Sequence, residues 1–217
     1  MNKLNILYED NHIIVVIKPA GILSQSDITN DVDMLTIIKE YIKEKKHKPG
    51  NVYLGLVHRL DRPVEGVMVF AKTSKAAARL SKQIQDKEFH KEYLAIIHGV
   101  MEPLNGTLID KIEKKDNQQV VLNTKNGKDS SLDYETIKVI GNSSLVKINL
   151  HTGRYHQIRV QFSSRNHPLY GDYRHGIKDN SRLALCAYKL SFYHPITKEL
   201  LTFSHKPKGD IWNNYID

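Results

Sequence analysis

The stretch LVHRLDRPVEGVMVFAKT, residues 56–73, holds a carboxylate between two cations. Asp61 is flanked by Arg59 and Arg62, and Gly66 and the apolar run Val67-Met68-Val69-Phe70 follow closely. A carboxylate beside arginine keeps its proton off, with a downward shift of roughly 1–3 units for a close pair. It therefore suits a nucleophile or a permanently ionised base, not a proton donor at neutral pH. Glycoside hydrolysis asks for a second carboxylate as acid. Glu65 is a formal candidate, but nothing in the sequence marks it as an acid of raised pKa. Metal-dependent nucleases need several converging carboxylates, and no such cluster adjoins Asp61. The bland alternative is an aspartate that holds a turn through a salt bridge.

Two further clusters carry chemistry. In HTGRYHQIRVQF, residues 151–162, Thr152-Gly153 reads as the cap of a helix whose first turn carries Arg154, His156 and Gln157. That arrangement suits phosphate at a helix N-terminus. In such a helix Tyr155 and Arg159 share one face, while Ile158 and Phe162 share another that faces the core. A solvated basic helix face is the competing reading. In HKEYLAIIHG, residues 90–99, a strand would send Lys91, Tyr93 and Ala95 one way and Glu92, Leu94 and Ile96 the other. Tyr93 then offers an aromatic plane for a nucleobase and a phenol for proton traffic, or it completes the core.

These clusters need elements to position them. NILYEDNHIIVVIKP reads as two short strands around an Asp-Asn turn, stopped by Pro19-Ala20-Gly21. DVDMLTIIKEYIKEKK carries helical spacing at Met34-Leu35, Ile37-Ile38 and Tyr41-Ile42. EGVMVFAKT is a buried strand, and Thr73 or Ser74 caps the helix SKAAARLSKQIQDKE. Residues 104–128 turn polar, with Asn126-Gly127 as a turn signal, and predict an exposed hairpin or arm. SLDYETIKVI and SLVKINLHT form a hairpin across Gly141-Asn142, and LALCAYKLSFYHP and ELLTFSHKP supply closing strands. Strands outnumber helices and run in hairpins, so the class is α+β, with a mixed, largely antiparallel sheet flanked by helices.

The 217 residues predict a single domain, 1–217. Lysine and arginine number 32 against 24 acidic residues, a net charge of +8 that favours a polyanionic partner such as nucleic acid. The lone Cys186 rules out an internal disulfide and a two-cysteine zinc motif, and fits a reducing cytoplasm. No apolar run is long enough to span a bilayer, and the first residues lack a signal peptide's apolar stretch.

The order of the clusters adds more than any one of them. HRLD with a glycine five residues later, then KEYLAIIHG, then TGRYHQIRV followed by HPLYGD, resembles the RluA family of RNA pseudouridine synthases. LYEDNHIIVVIKPAGILSQ is similar to that family's opening strands, and LALCAYKLSFYHPITKELLTFSHKP to its closing ones. The resemblance implies the pseudouridine synthase catalytic fold, and isomerisation of uridine to pseudouridine in ribosomal or transfer RNA without cofactor or metal. It places the catalytic aspartate on Asp61, the active-site tyrosine on Tyr93 and the basic residue that pairs with the aspartate on Arg159. Arg59, His58, Arg62, Lys91, Arg154, His156 and Gln157 are the expected RNA contacts. A cytoplasmic monomer with RNA as its partner is expected, with no membrane or protein partner implied, and without the S4-type domain of many relatives. The alternative is a non-catalytic RNA-binding or assembly protein that keeps the fold.

Two positions depart from the family pattern. Val64-Glu65 replaces Thr-Ser, and Tyr155 replaces the threonine of TGRTHQIR. A second anion facing Asp61 would oppose its ionised form, so Glu65 is expected to turn away and pair with a cation such as Arg62 or Lys91.

Overall fold

Ile13 to Lys18 are buried without a break, so this strand must be covered on both faces. The computed structural model describes residues 4–29, 31–47, 50–115, 119–178 and 181–216. In chain order its elements are β1 (Asn5–Glu9), β2 (Ile13–Lys18), α1 (Met34–Lys46), β3 (Gly55–Leu56), β4 (Glu65–Ala71), α2 (Ser74–Gln85), β5 (His90–His98) and β6 (Asn105–Lys114). There follow β7 (Val120–Leu122), β8 (Lys128–Ile140), β9 (Ser143–Leu150), α3 (Gln157–Ser163), β10 (Leu185–Tyr193), β11 (Leu200–Ser204) and α4 (Asp210–Asn213). Two units separate in the contact pattern: Met1–His90 with Ala187–His205, and Lys91–Cys186 with Lys206–Asp217.

In the first unit the strand order is β1–β2–β4–β10, with β3 on β4 and β11 on β10. The β1–β2, β2–β4, β3–β4 and β10–β11 ladders are antiparallel. Strand periodicity puts Ile13, Val15, Ile17, Val67, Val69 and Ala71 on one face, where they join Ala76 and Leu80 of α2 and Phe89, Leu190 and Phe192. Burying each large member contributes about 1.5–3 kcal/mol. Thr73 caps α2 by accepting the Ala76 N–H at 3.1 Å, a contact of about 1 kcal/mol. Asp33 does the same for α1, whose buried residues Met34, Ile38 and Ile42 recur every four positions.

In the second unit the order is β5–β9–β8–β6–β7, again with antiparallel ladders. The β8–β9 hairpin turns at Gly141-Asn142, as the sequence predicts. Residues 104–128 contain β6 and β7, and β6 pairs with β8 from Asn105 to Ile112. Its buried positions alternate through Leu108, Asp110 and Ile112. The Asp110 carboxylate accepts from Gln161 Nε2 at 2.7 Å and Arg165 Nη1 at 3.0 Å, which fastens β6 to α3 and the turn after it. The fold class is α+β with mostly antiparallel strands and flanking helices, as expected.

Candidate active site

The turn that carries Asp61 is held from several sides by residues 18–24. Ser24 Oγ donates to the Leu60 carbonyl at 2.7 Å and accepts the Leu60 N–H at 3.1 Å, so both backbone groups before Asp61 are satisfied by one hydroxyl. Lys18 is fully buried, and its ammonium donates to the carbonyls of Pro19, Arg62 and Val64 at 2.9, 3.1 and 2.7 Å. Three acceptors around one Nζ use all three N–H donors of a charged lysine. Burial pushes this ammonium down to about 7, while attraction to the Asp61 and Glu65 carboxylates opposes the shift. The Gly21 N–H also donates to the Arg62 carbonyl, at 2.8 Å, and the Val64 N–H closes the turn on the Asp61 carbonyl at 3.0 Å. Asp61 is half-buried, while Arg59 and Arg62 on either side are exposed. A carboxylate on a turn fixed this way sits at a defined place, near enough to the buried Lys18 for the two to interact electrostatically.

Arg62 and Glu65 do not pair, contrary to the first of the two partners expected for Glu65. Arg62 bonds Asp31 at 2.8 Å and the Gly21 carbonyl at 3.0 Å, and His205 Nε2 lies 4.0 Å from the Glu65 carboxylate. The reason is geometric. Arg62 leaves the turn on its exposed side, toward Gly21 and Asp31, while Glu65 already begins β4. His58 is half-buried; its Nε2 accepts the Val69 N–H at 3.1 Å and its ring meets the Phe89 ring edge-on. It continues by side chain the pairing that β3 makes with β4 through only two residues.

In the second unit Arg159 is buried and forms a two-pronged pair with Asp172, Nε to Oδ2 at 2.8 Å and Nη2 to Oδ1 at 2.6 Å. Asp172 also accepts the backbone N–H groups of Arg174 and His175. The Arg159 guanidinium and these donors hold the Asp172 carboxyl below the usual range against the opposing effect of its burial. Behind the pair lie two imidazoles, His156 Nδ1 and His175 Nε2 being 2.7 Å apart. Burial pushes His156 down to about 3 and His175 to about 4, so both are neutral at pH 7. Tyr93 is buried on β5. Lys91, half-buried two residues earlier, is shifted downward by burial.

The segment before Arg159 departs from its expected shape. The helix starts at Gln157, not in the Thr152-Gly153 region, and no side chain caps it. His156 has a left-handed backbone, φ 52°, which a right-handed helix cannot contain. The Thr152 hydroxyl donates to Gln157 Oε1 at 2.8 Å and accepts the Ser131 N–H at 2.9 Å. Gln157, buried, also accepts the Arg154 N–H and donates to the Ser131 carbonyl, so it clasps the loop to β8. Arg154, Tyr155 and His156 thus lie on that loop, and the expected phosphate cradle at a helix start is not formed. Exposed Arg154 donates Nε to the Asp129 carbonyl at 3.0 Å. The expected shared face of Tyr155 and Arg159 is lost with the first turn, whereas Ile158 and Phe162 are buried as expected.

A family model described as RNA pseudouridylate synthase matches residues 12–164. That stretch contains Asp61, Tyr93 and Arg159. The chain belongs to the RNA pseudouridylate synthase family. Ribosomal large subunit pseudouridine synthase C of Buchnera aphidicola is 36% identical over 209 residues, which cover 89% of this chain and 64% of that protein. The chain therefore spans somewhat less than two-thirds of that relative's length. tRNA pseudouridine synthase C of Haemophilus influenzae is 32% identical, over 93% of this chain and 92% of that protein. The solved structure of human RNA pseudouridylate synthase domain containing 4 shares the fold, with a TM-score of 0.78 at 23% identity over 93% of this chain and 88% of that one.

Three residues that hold the candidate groups within their own units had no role assigned from sequence: Lys18 in the first unit, and Asp172 and His175 in the second. Lys18 carried a signal, a lysine closing an otherwise wholly apolar strand, IIVVIK. Asp172 ends the HPLYGD motif, but nothing in its spacing points to Arg159, thirteen residues earlier.

Proposed function

We propose that the protein converts uridine to pseudouridine in ribosomal or transfer RNA, with Asp61 as the catalytic carboxylate. In this reaction the C1′–N1 bond breaks and a C1′–C5 bond forms, the C5 proton leaves and N1 gains a proton. No water enters the product, so a second carboxylate acid is unnecessary. The observation that carries the reading is the family match across Asp61, Tyr93 and Arg159, together with a turn that fixes Asp61 beside the buried Lys18. Tyr93 serves as the plane and phenol for uracil, and Arg159 as the cation of the site, oriented by Asp172. The target uridine must leave its stack, which costs a few kcal/mol. Exposed Arg59, Arg62 and Arg154 supply phosphate contacts that offset this cost, with half-buried Lys91 as a further cation. The protein works as a cytoplasmic monomer without a cofactor. No described helix is long and apolar enough to cross a membrane.

Pseudouridine maps of ribosomal and transfer RNA, from cells with and without the gene, test this reading. At least one pseudouridine should disappear with the gene and return when it is restored. Identical maps would overturn the proposal.

A further inference from the structure

Neighbouring side chains on a regular helix or strand diverge, yet the rings of Tyr155 and His156 are stacked, 3.9 Å between centroids and 17° from parallel. The left-handed backbone at His156 brings them together, and a non-glycine residue keeps that conformation only where its surroundings fix it. They do so here. His156 is buried against His175, whose ring stands edge-on at 5.0 Å and whose backbone N–H is bonded to Asp172. The Ser163 hydroxyl donates to the His175 carbonyl and closes the support from α3. One face of Tyr155 is therefore backed by a rigid pair of rings.

The Lys114 ammonium lies over the Tyr155 ring, 4.6 Å from its centroid, and must take the opposite face because His156 fills the first. Lys114 ends β6 and is exposed, so its flexible stem lets the ammonium move at little cost. Arg174, also exposed, reaches the Tyr155 hydroxyl at 3.4 Å, and exposed Arg154 precedes the tyrosine in the chain. A backed aromatic face ringed by exposed cations is the arrangement that holds single-stranded nucleic acid, with bases stacked and phosphates paired.

We propose that the outer face of Tyr155 is a stacking platform for an unpaired nucleobase of the RNA, with Lys114 moving from the ring to an adjoining phosphate as the base arrives. This rests on the reading of the protein as an RNA-modifying enzyme. The pattern that this stretch resembles usually has threonine at this position, which offers no aromatic plane, so the platform rests on this chain's own Tyr155. Every base has a π-face, so the platform fixes where an unpaired nucleotide lies and leaves its identity open.

Equilibrium binding of a short oligouridylate and of an abasic strand of equal length tests the platform. The wild type should bind the oligouridylate more tightly than the abasic strand. Tyr155→Phe should keep that difference. Tyr155→Leu should weaken oligouridylate binding by roughly 5- to 150-fold and leave the abasic strand unaffected. Tyr155→Thr, carrying the family's own residue, should show the same loss and replaces the leucine variant if that protein folds poorly. Lys114→Met should lower the salt dependence by about one unit of slope while the preference for bases survives. Equal binding of the two strands by the wild type, or a threonine variant as tight as the phenylalanine one, would overturn the platform. Pseudouridine formation is read separately, so a failed activity with a base-dependent Tyr155 effect would sink only the enzymatic reading.

Discussion

Arg159 and Asp172 form a two-pronged charged pair in the second unit, and its value lies in being buried together. Removing one partner of such a pair leaves the other uncompensated in a poor solvent for charge, a loss of about 3–5 kcal/mol. Asp172→Asn should therefore lower the urea midpoint markedly, while substitution of exposed Arg154 should leave it nearly unchanged. In single-turnover assays at saturating RNA, Arg159→Met should slow isomerisation far more than Arg154→Met. The Arg154 variant should instead show weaker, less salt-sensitive binding. Equal effects on the rate would contradict this division. The family was legible because the motifs around Asp61, Tyr93 and Arg159 stand in a recognisable order, and the family match spans all three positions. Asp172 was not, because a contact across thirteen residues and an irregular loop leaves no periodic trace.

At the scale of elements, the turn around Asp61 depends on close backbone approach. Gly66 has φ +141°, and a Cβ there would overlap the Ala187 carbonyl oxygen and lie 2.6 Å from Ala187 Cβ. Gly66→Ala should therefore be among the most disruptive changes in the first unit, measured as a loss of several kcal/mol in unfolding free energy or as failure to fold. A variant as stable as the wild type would mean that β4 can shift. Lys18→Met keeps the stem and removes the three donors, leaving the Pro19, Arg62 and Val64 carbonyls without this partner. The rate should fall with it, because the Asp61 turn loses its central tie. Most of the strands and the helices α1 and α2 were readable from period, caps and turns, all of which are local; the two-residue β3, in a stretch that reads as loop, was not. The start of α3 was not. Residues 154–162 have helical spacing throughout, but the clasp of Thr152 and Gln157 on Ser131 of β8 decides where the helix begins.

For the molecule as a whole, pH and metal dependence follow from the same groups. His156 and His175 are held down to about 3 and about 4, whereas unfolded histidines titrate near 6.5. The folded state then binds fewer protons than the unfolded one below that value. Stability is complete above about pH 6.5 and drains away as pH falls toward the folded values. Urea midpoints should decline between about pH 7 and pH 4, and His175→Asn should flatten the decline. A flat wild-type profile would show that both imidazoles charge without unfolding. Chelation should leave the isomerisation rate unchanged once RNA folding is controlled, since the proposed chemistry draws on a carboxylate, a phenol and a guanidinium. Loss of rate restored by magnesium would favour a metal-dependent reaction. The most direct measurement is tritium release from RNA labelled at uracil C5, with wild type and Asp61→Asn compared at saturating protein. The wild type should release tritium and the variant should release almost none, while its RNA affinity stays close to wild type because one amide replaces one carboxylate among many phosphate contacts. Release by Asp61→Asn within about tenfold of the wild type, a difference of only 1.4 kcal/mol, would contradict the assignment of Asp61 as the catalytic carboxylate.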